Sequence, residues 1–420
     1  MCGACSLGRM IDRTLDELAA SIRLREQSVT GLVAESLATL DEVADLNSHA
    51  WRDDDAVLSE AKDADLALAR GEPTGPLHGV PISVKDWIDV AGFPCAGEDL
   101  EHRDRRPLRD ASAVARLRKA GAIVIAKSNA GSLHGPARNP WDATRTAGHS
   151  SSGDAIAVAT GASAVGIGSD SGGSLRFPAH CTGIATIKPT FGRVPATGHF
   201  PPVDALTDGR TVIGPLCRSA KDLRLVLSII EGPDGIDPDV PPVSPVTAEA
   251  PRNLRIILHT DNDVTQSRDV AAMMRRVAQV LDDKGHHVTA DNALEPDRAL
   301  DLTQQYWDSL ADNRRDSGRP LRLLEGWQAF KREAMEKMRS TDLIVSPAAP
   351  YPAPLLDGGS DTDWTYTLAA SLWGFPAAVV RCGTSGDNLP LGVQVVARAW
   401  EETLATFLAE TLEDALGAST

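Results

Sequence analysis

Hydrophobic residues near the start of the chain recur at helical spacing. Ile11, Leu15, Leu18 and Ile22 step by four, three and four, the mark of an amphipathic helix. Leu32, Val33, Leu37, Leu40 and Val43 mark a second helix, and residues 53–70 read as a third, closed by Gly71 and Pro73. The period then changes. The apolar run from Val80 to Val84 predicts a buried strand ending at Lys85. Residues 112–120 predict a helix and 122–126 the next strand. Further on, Ala155 to Ala159 and Ala164 to Gly168 read as a buried helix and a strand. They lie between two turns dense in glycine and serine, Gly148-His149-Ser150-Ser151-Ser152-Gly153 and Ser169-Asp170-Ser171-Gly172-Gly173-Ser174. Flexible linkers share that composition, but they do not flank apolar runs of helix and strand length. Both turns are expected to open on one face of a core.

Later elements follow the same alternation. Residues 185–189, 254–258, 343–345 and 392–396 predict strands, 270–281 a helix ended by Gly285, and 401–416 a closing helix. Residues 233–251 hold six prolines and read as an exposed connector. Alternating strand and helix predict an α/β fold, whose ligand sites lie beyond the carboxyl ends of the strands. Lys85 and Ser169 sit at such ends. There is no internal repeat, and one domain is expected.

Composition narrows the function. The 420 residues are 42% apolar, ample for a core, and only 4% aromatic. A formal charge of −16 excludes the basic footprint of a nucleic-acid binder. No run approaches the ~20 apolar residues of a membrane helix, and residues 1–10 lack the apolar stretch of a signal peptide, so a cytoplasmic location is expected. Six cysteines are too scattered for a disulfide framework, and the Cys2/Cys5 C-x-x-C pair has no second pair.

Acyl transfer to serine needs a nucleophile, a proton acceptor and donors aimed at the oxyanion. Ten histidines are present, yet none of His134, His149, His180 or His199 is placed by a catalytic pattern, and G-x-S-x-G is absent. No H-E-x-x-H or metal-ligand spacing occurs, and the Gly/Ser turns lack the lysine of a phosphate-binding loop. Neither cofactor nor metal is expected. Lysine and serine remain. A lysine is a base only when neutral, and burial lowers its pKa from ~10.4; Lys85, ending a buried strand, is in the right kind of place. The stretch Ser171-Gly172-Gly173-Ser174-Leu175 supplies consecutive backbone N–H groups suited to a negative oxygen, or, on the rival reading, to phosphate.

These residues carry a resemblance. Gly79-Val80-Pro81-Ile82-Ser83-Val84-Lys85-Asp86 resembles the lysine motif of the amidase signature family, and residues 148–153 resemble its G-G-S-S-G-G loop. The stretch from Gly168 to Pro178 is similar to its G-[ST]-D-x-G-G-S-[IL]-R-x-P block. Matches continue through Arg138-Asn139-Pro140-Trp141, residues 188–194 and Gly214-Pro215-Leu216, and resume at residues 371–377 and 389–394. The resemblance implies a single α/β amidase-signature domain, a central mixed sheet covered by helices on both faces. Residues 1–75 would form a helical layer, 76–235 the signature core, 236–340 a variable segment building the substrate pocket, and 341–420 the closing strands and helix.

It also implies a hydrolase cleaving non-peptide amides through an acyl-serine. Ser174 would be the nucleophile, Ser150 (on a cis peptide in family counterparts) the proton relay, and Lys85 the base. The amides of Ser171, Gly172, Gly173 and Ser174 would line the oxyanion hole, with Ser151, Asp170 and Arg176 supporting the loop. The partner expected is a small-molecule amide, with no nucleic acid or membrane and room for a homodimer. His149 and Ser152 replace loop glycines, and an aspartate usual near Thr211 is missing, with Asp208 placed to substitute. A tRNA-dependent amidotransferase glutaminase, a biosynthetic acyl-transfer enzyme and a non-catalytic binding module are the alternatives. Inward-pointing arginines among Arg314, Arg315, Arg319 and Arg322 would favour an amide bearing a carboxylate, against a solvated helix face for all four.

Overall fold

The computed structural model describes residue 10 and residues 13–72, 74–131, 133–244, 253–259, 264–312 and 321–417. Cys2, Cys5, Ile11, Arg314, Arg315 and Arg319 lie outside the described residues. The helix Leu15–Arg23 is capped at its start by Thr14. The Thr14 hydroxyl accepts from the Glu17 amide, and the Glu17 carboxylate accepts the Thr14 N–H at 2.7 Å, which satisfies two donors at the helix start.

Among the described residues eleven strands form one sheet: β1 (His49–Trp51), β2 (Pro81–Lys85), β3 (Ile123–Ser128), β4 (Val165–Asp170), β5 (Ala185–Lys188), β6 (Val212–Cys217), β7 (Arg255–His259), β8 (His287–Asp291), β9 (Leu343–Pro347), β10 (Ala377–Thr384) and β11 (Pro390–Ala397). Their spatial order is β1-β3-β2-β4-β6-β5-β10-β11-β9-β7-β8. β2 runs parallel to β3 and β4, and β7 runs parallel to β8 and β9; all other neighbours are antiparallel. The sheet is therefore mixed, and strands from near residue 50 to near 397 share it in one domain.

Side-chain alternation sends successive residues to opposite faces. Ile256, Val345 and Val395 enter one core; their neighbours Ile257, Ile344 and Val396 enter another. Helices Leu15–Arg23, Val29–Glu42, Ala220–Ile230, Arg268–Asp283 and Glu402–Leu416 cover the first face. Helices Pro296–Asp312, Leu321–Lys337 and Leu368–Trp373 pack on the second face at one end, and Ser152–Thr160 with Arg176–Thr182 over its middle. Among the described residues no helix is long and apolar enough to cross a membrane. Residues 236–340 add strands β7 and β8 at the far edge, away from β2 and β4.

Candidate active site

Parallel strands β2 and β4 are neighbours, and their carboxyl ends bring Lys85 beside Ser169 and Asp170. The segment between β3 and β4 passes through the first Gly/Ser turn into helix Ser152–Thr160. That helix lies close on β4. A Cβ at Gly168 would come within 2.5 Å of the Ser151 hydroxyl, so glycine is required for the approach. Ser151 in turn donates to the Ser169 carbonyl at 3.2 Å and accepts the Ser169 N–H at 3.3 Å. These bonds fix the first turn against the end of β4.

The Lys85 side chain is 1% exposed. Its Nζ lies 2.7 Å from Ser150 Oγ, 3.0 Å from Ser169 Oγ and 3.4 Å from the Ser169 carbonyl. Burial pushes its pKa down to about 7, against the opposing pull of Asp154, Asp170 and Glu98. Asp154 does not bond the amine. Its two oxygens accept from the hydroxyls of Ser83 and Ser128, each at 2.7 Å, and burial raises its own pKa to about 6.

Asp170 and Arg176 are both fully buried and pair bidentately, at 2.9 and 3.0 Å. Burial alone would raise the Asp170 pKa, but Arg176 outweighs it and holds the carboxyl below its ordinary value. The guanidinium also donates to the Thr367 carbonyl, Ser371 Oγ and Gln394 Oε1, each at 2.7 Å. The Asp170 carboxylate accepts the amides of Gly173 at 2.8 Å and Leu175 at 3.1 Å. Gly173 takes φ +139° with Thr367 and Trp364 packed where a side chain would start, so only glycine makes this turn. Ser171 bonds Thr211, whose hydroxyl donates to Asp208 at 2.8 Å. Asp208 is thus linked to Ser171 through Thr211.

Ser150 and Ser174 line one cavity of about 460 Å³, with Trp87, His149, Leu356 and Trp364 among its walls. Two expectations need correction. Gly173 N–H is committed to Asp170 and is not open to an oxyanion. The amides of Ser171, Gly172 and Ser174 carry no hydrogen bond among the described residues. Ser150 sits on a trans peptide, since Phe200–Pro201 is the one cis bond among the described residues; its hydroxyl reaches Lys85 without one. Ser150 and Ser174 are not hydrogen-bonded to each other here, a looseness common before substrate binds.

Among the described residues, none lining this cavity comes from 236–340. Tyr306 and Trp327 instead pack edge to face at 5.9 Å inside their own core, and Arg322 is exposed. Ser169 bonds the lysine, as its strand-end place allows, while Asp154 and His199 lie around the pair without a catalytic motif of their own. Ser169 occupies the serine/threonine place of its motif; His199 has no sequence signal, because a tertiary turn delivers it.

The amidase family profile matches residues 32–325 and 324–405, and the chain belongs to that family. It is 32% identical over 438 residues to the putative amidase AmiD of Mycobacterium tuberculosis, covering 93% of this chain and 91% of that one. It is 31% identical to the indoleacetamide hydrolase of Bradyrhizobium diazoefficiens, over 86% and 78% of the two chains. A crystal structure of an amidase superposes with a TM-score of 0.82 at 26% identity, covering 96% of this chain and 100% of that one. The protein is thus a hydrolase acting on amide C–N bonds.

Replacing Asp170 by asparagine leaves the Arg176 charge buried and unpaired, and is expected to lower stability by about 3–5 kcal/mol. Urea denaturation of the two proteins measures it. A loss below ~1 kcal/mol would mean that Thr367, Ser371 and Gln394 alone satisfy the guanidinium.

Proposed function

We propose that Ser174 is the nucleophile, Ser150 the relay and Lys85 the base of an acyl-enzyme amidase. The observation that carries this reading is the buried Lys85 amine held 2.7 Å from Ser150 Oγ in the cavity that Ser174 lines. Ser174 Oγ attacks the amide carbon as its proton passes to Ser150, whose own proton passes to the lone pair of neutral Lys85. The amide C–N bond then breaks, and the nitrogen leaves with the proton returned from Lys85 through Ser150. Water repeats the attack on the acyl-Ser174 ester with the same base, releasing the acid and regenerating Ser174. The amides of Ser171, Gly172 and Ser174 are free to face the developing oxyanion. Ser151, Asp170 and Arg176 hold the two turns in register.

His149 is a poor rival for the base. Burial drives its pKa to about 4, and its ring stacks on Trp364 at 3.6 Å. It is a wall. The rings of His149, Trp87 and Trp364 line the cavity, and among the described residues none of its lining side chains is charged. An unpaired carboxylate buried there would lose hydration with no cation to replace it. The substrate class this supports is a compact, uncharged amide with an apolar or aromatic acyl group.

Four outcomes test these assignments. A fluorophosphonate probe should label Ser174, found by peptide mapping; turnover with Ser174 unlabelled would remove it as nucleophile. Below about pH 7, kcat/KM should climb about tenfold per pH unit and level above it as Lys85 loses its proton. Lys85→Ala should cost roughly 10²–10⁴-fold, and a near-normal rate would move the base elsewhere. In a panel of primary amides, a neutral arylacetamide should exceed a malonamate by at least about tenfold in kcat/KM, or ~1.4 kcal/mol. The reverse order would place a cation in the pocket.

A further inference from the structure

His199 lies on the far side of Ser169 from the lysine. Residues 198–200 run antiparallel to 87–89: Ile88 and His199 form a β-bridge, the Phe200 N–H donates to the Trp87 carbonyl at 2.7 Å, and the Asp89 N–H donates to the Gly198 carbonyl at 2.8 Å. This pairing sets the imidazole 4% exposed, edge-on to the Trp87 ring at 5.8 Å. Its Nδ1 is 2.8 Å from the Pro201 carbonyl and its Nε2 is 3.2 Å from Ser169 Oγ.

The directions of these bonds are forced. A carbonyl can only accept, so Nδ1 carries the ring proton and donates it to Pro201. Burial keeps the imidazole neutral, with a pKa lowered to about 4 despite the Pro201 bond, so Nε2 has a lone pair and no proton. Ser169 Oγ–H must therefore donate to Nε2, and its oxygen can only accept from Lys85. The Ser169 carbonyl is a second pure acceptor at the amine. A neutral lysine has two N–H bonds and one lone pair. With both N–H bonds drawn to Ser169, the lone pair is left for Ser150.

We infer that His199 is a positioning residue for the amide hydrolysis: through Ser169 it fixes the hydrogen-bond polarity around Lys85, so that the lone pair of the neutral amine faces the Ser150 hydroxyl. The inference rests on the assignment of Lys85 as base. Without an acceptor at position 199, the Ser169 hydroxyl turns its proton toward the lysine lone pair and competes with Ser150. The base is then present and misdirected. The charged groups facing this pair are Asp154, Asp170 and Glu98 around Lys85, with Asp208 and Asp89 around His199. All of them stay in place when the imidazole alone is changed.

The test compares His199→Phe, which keeps a ring against Trp87 without an acceptor, with His199→Gln, which restores one, and with Ser169→Ala, which removes the link. His199→Phe should lower kcat on the order of 10²-fold with KM little changed. It should also slow fluorophosphonate labelling of Ser174 in parallel. Its apparent pKa in the kcat/KM profile should fall below the wild-type value, because the Ser169 hydroxyl now stabilises the neutral amine. His199→Gln should recover a large part of the rate, and Ser169→Ala should lose activity even if His199→Phe does not fold. Wild-type labelling and kcat retained in a folded His199→Phe, or equal loss in His199→Gln and His199→Phe, would overturn the inference. A wild-type enzyme that turns over with Ser174 unlabelled, or a fully active Lys85→Ala, would instead defeat the assignment on which it stands.

Discussion

The desolvation of one amine governs this site. Lys85 closes a fully buried strand, so its ammonium form loses hydration and the neutral form becomes accessible near pH 7. That effect survives only if no carboxylate touches the amine, since a direct ion pair would restore the charge. Asp154, Asp170 and Glu98 all act on the amine through space, but none forms an ion pair with it among the described residues. Asp154 is bound by Ser83 and Ser128, and Asp170 by Arg176 and two backbone amides. Lys85 is left among hydroxyls and a carbonyl, which solvate it without fixing its charge.

The same economy explains why distant parts of the chain serve the turn before Ser174. Arg176 neutralises Asp170, and its remaining donors reach Thr367, Ser371 and Gln394. Gln394 on β11 also donates to Ser346 at 3.1 Å and to the Tyr366 carbonyl at 2.7 Å. The buried cation therefore joins the end of β4 to β9, β11 and the helix Leu368–Trp373. Residues 236–340 supply β7, the edge strand β8 and helices, and they meet this network at its rim, where Trp327 Nε1 donates to the Leu372 carbonyl and Gln266 donates to the Tyr366 hydroxyl at 3.0 Å.

Much of this was legible in the sequence, for definite reasons. Lys85, Ser150 and Ser174 sit in local motifs whose glycines answer to backbone demands, such as the positive φ of Gly173. Strands β2, β3 and β4 were read within a residue or two of their ends because each opens on an apolar run and is buried throughout. Strand β6 was harder, as it carries Gly214 and Pro215 where a central strand normally has neither. Edge strand β8 is largely exposed and lacks an apolar period. The donor states of Ser169 and His199 were beyond reach, for they depend on a carbonyl at Pro201 and on a bridge between segments 111 positions apart (88 and 199). The commitment of the Gly173 amide was hidden in the same way, since a motif gives the order of residues and not the direction of an N–H bond.

A lowered pKa by itself does not make a base, and the chain contains its own control. Lys188 at the end of β5 is as buried as Lys85, and burial likewise brings its pKa to about 7, with Arg176 adding to the effect. Its Nζ, however, donates to the Pro189 carbonyl at 3.0 Å, a partner with no proton to give. Both amines can be neutral near the same pH, yet only one has a hydroxyl at its lone pair and a cavity beyond it. The buried histidines make the complementary point. His149, His180 and His199 are each pushed to about 4 by burial, so they serve as neutral walls and hydrogen-bonding rings. What separates a catalytic amine from a structural one is the set of acceptors that uses up its N–H bonds and the donor left facing its lone pair.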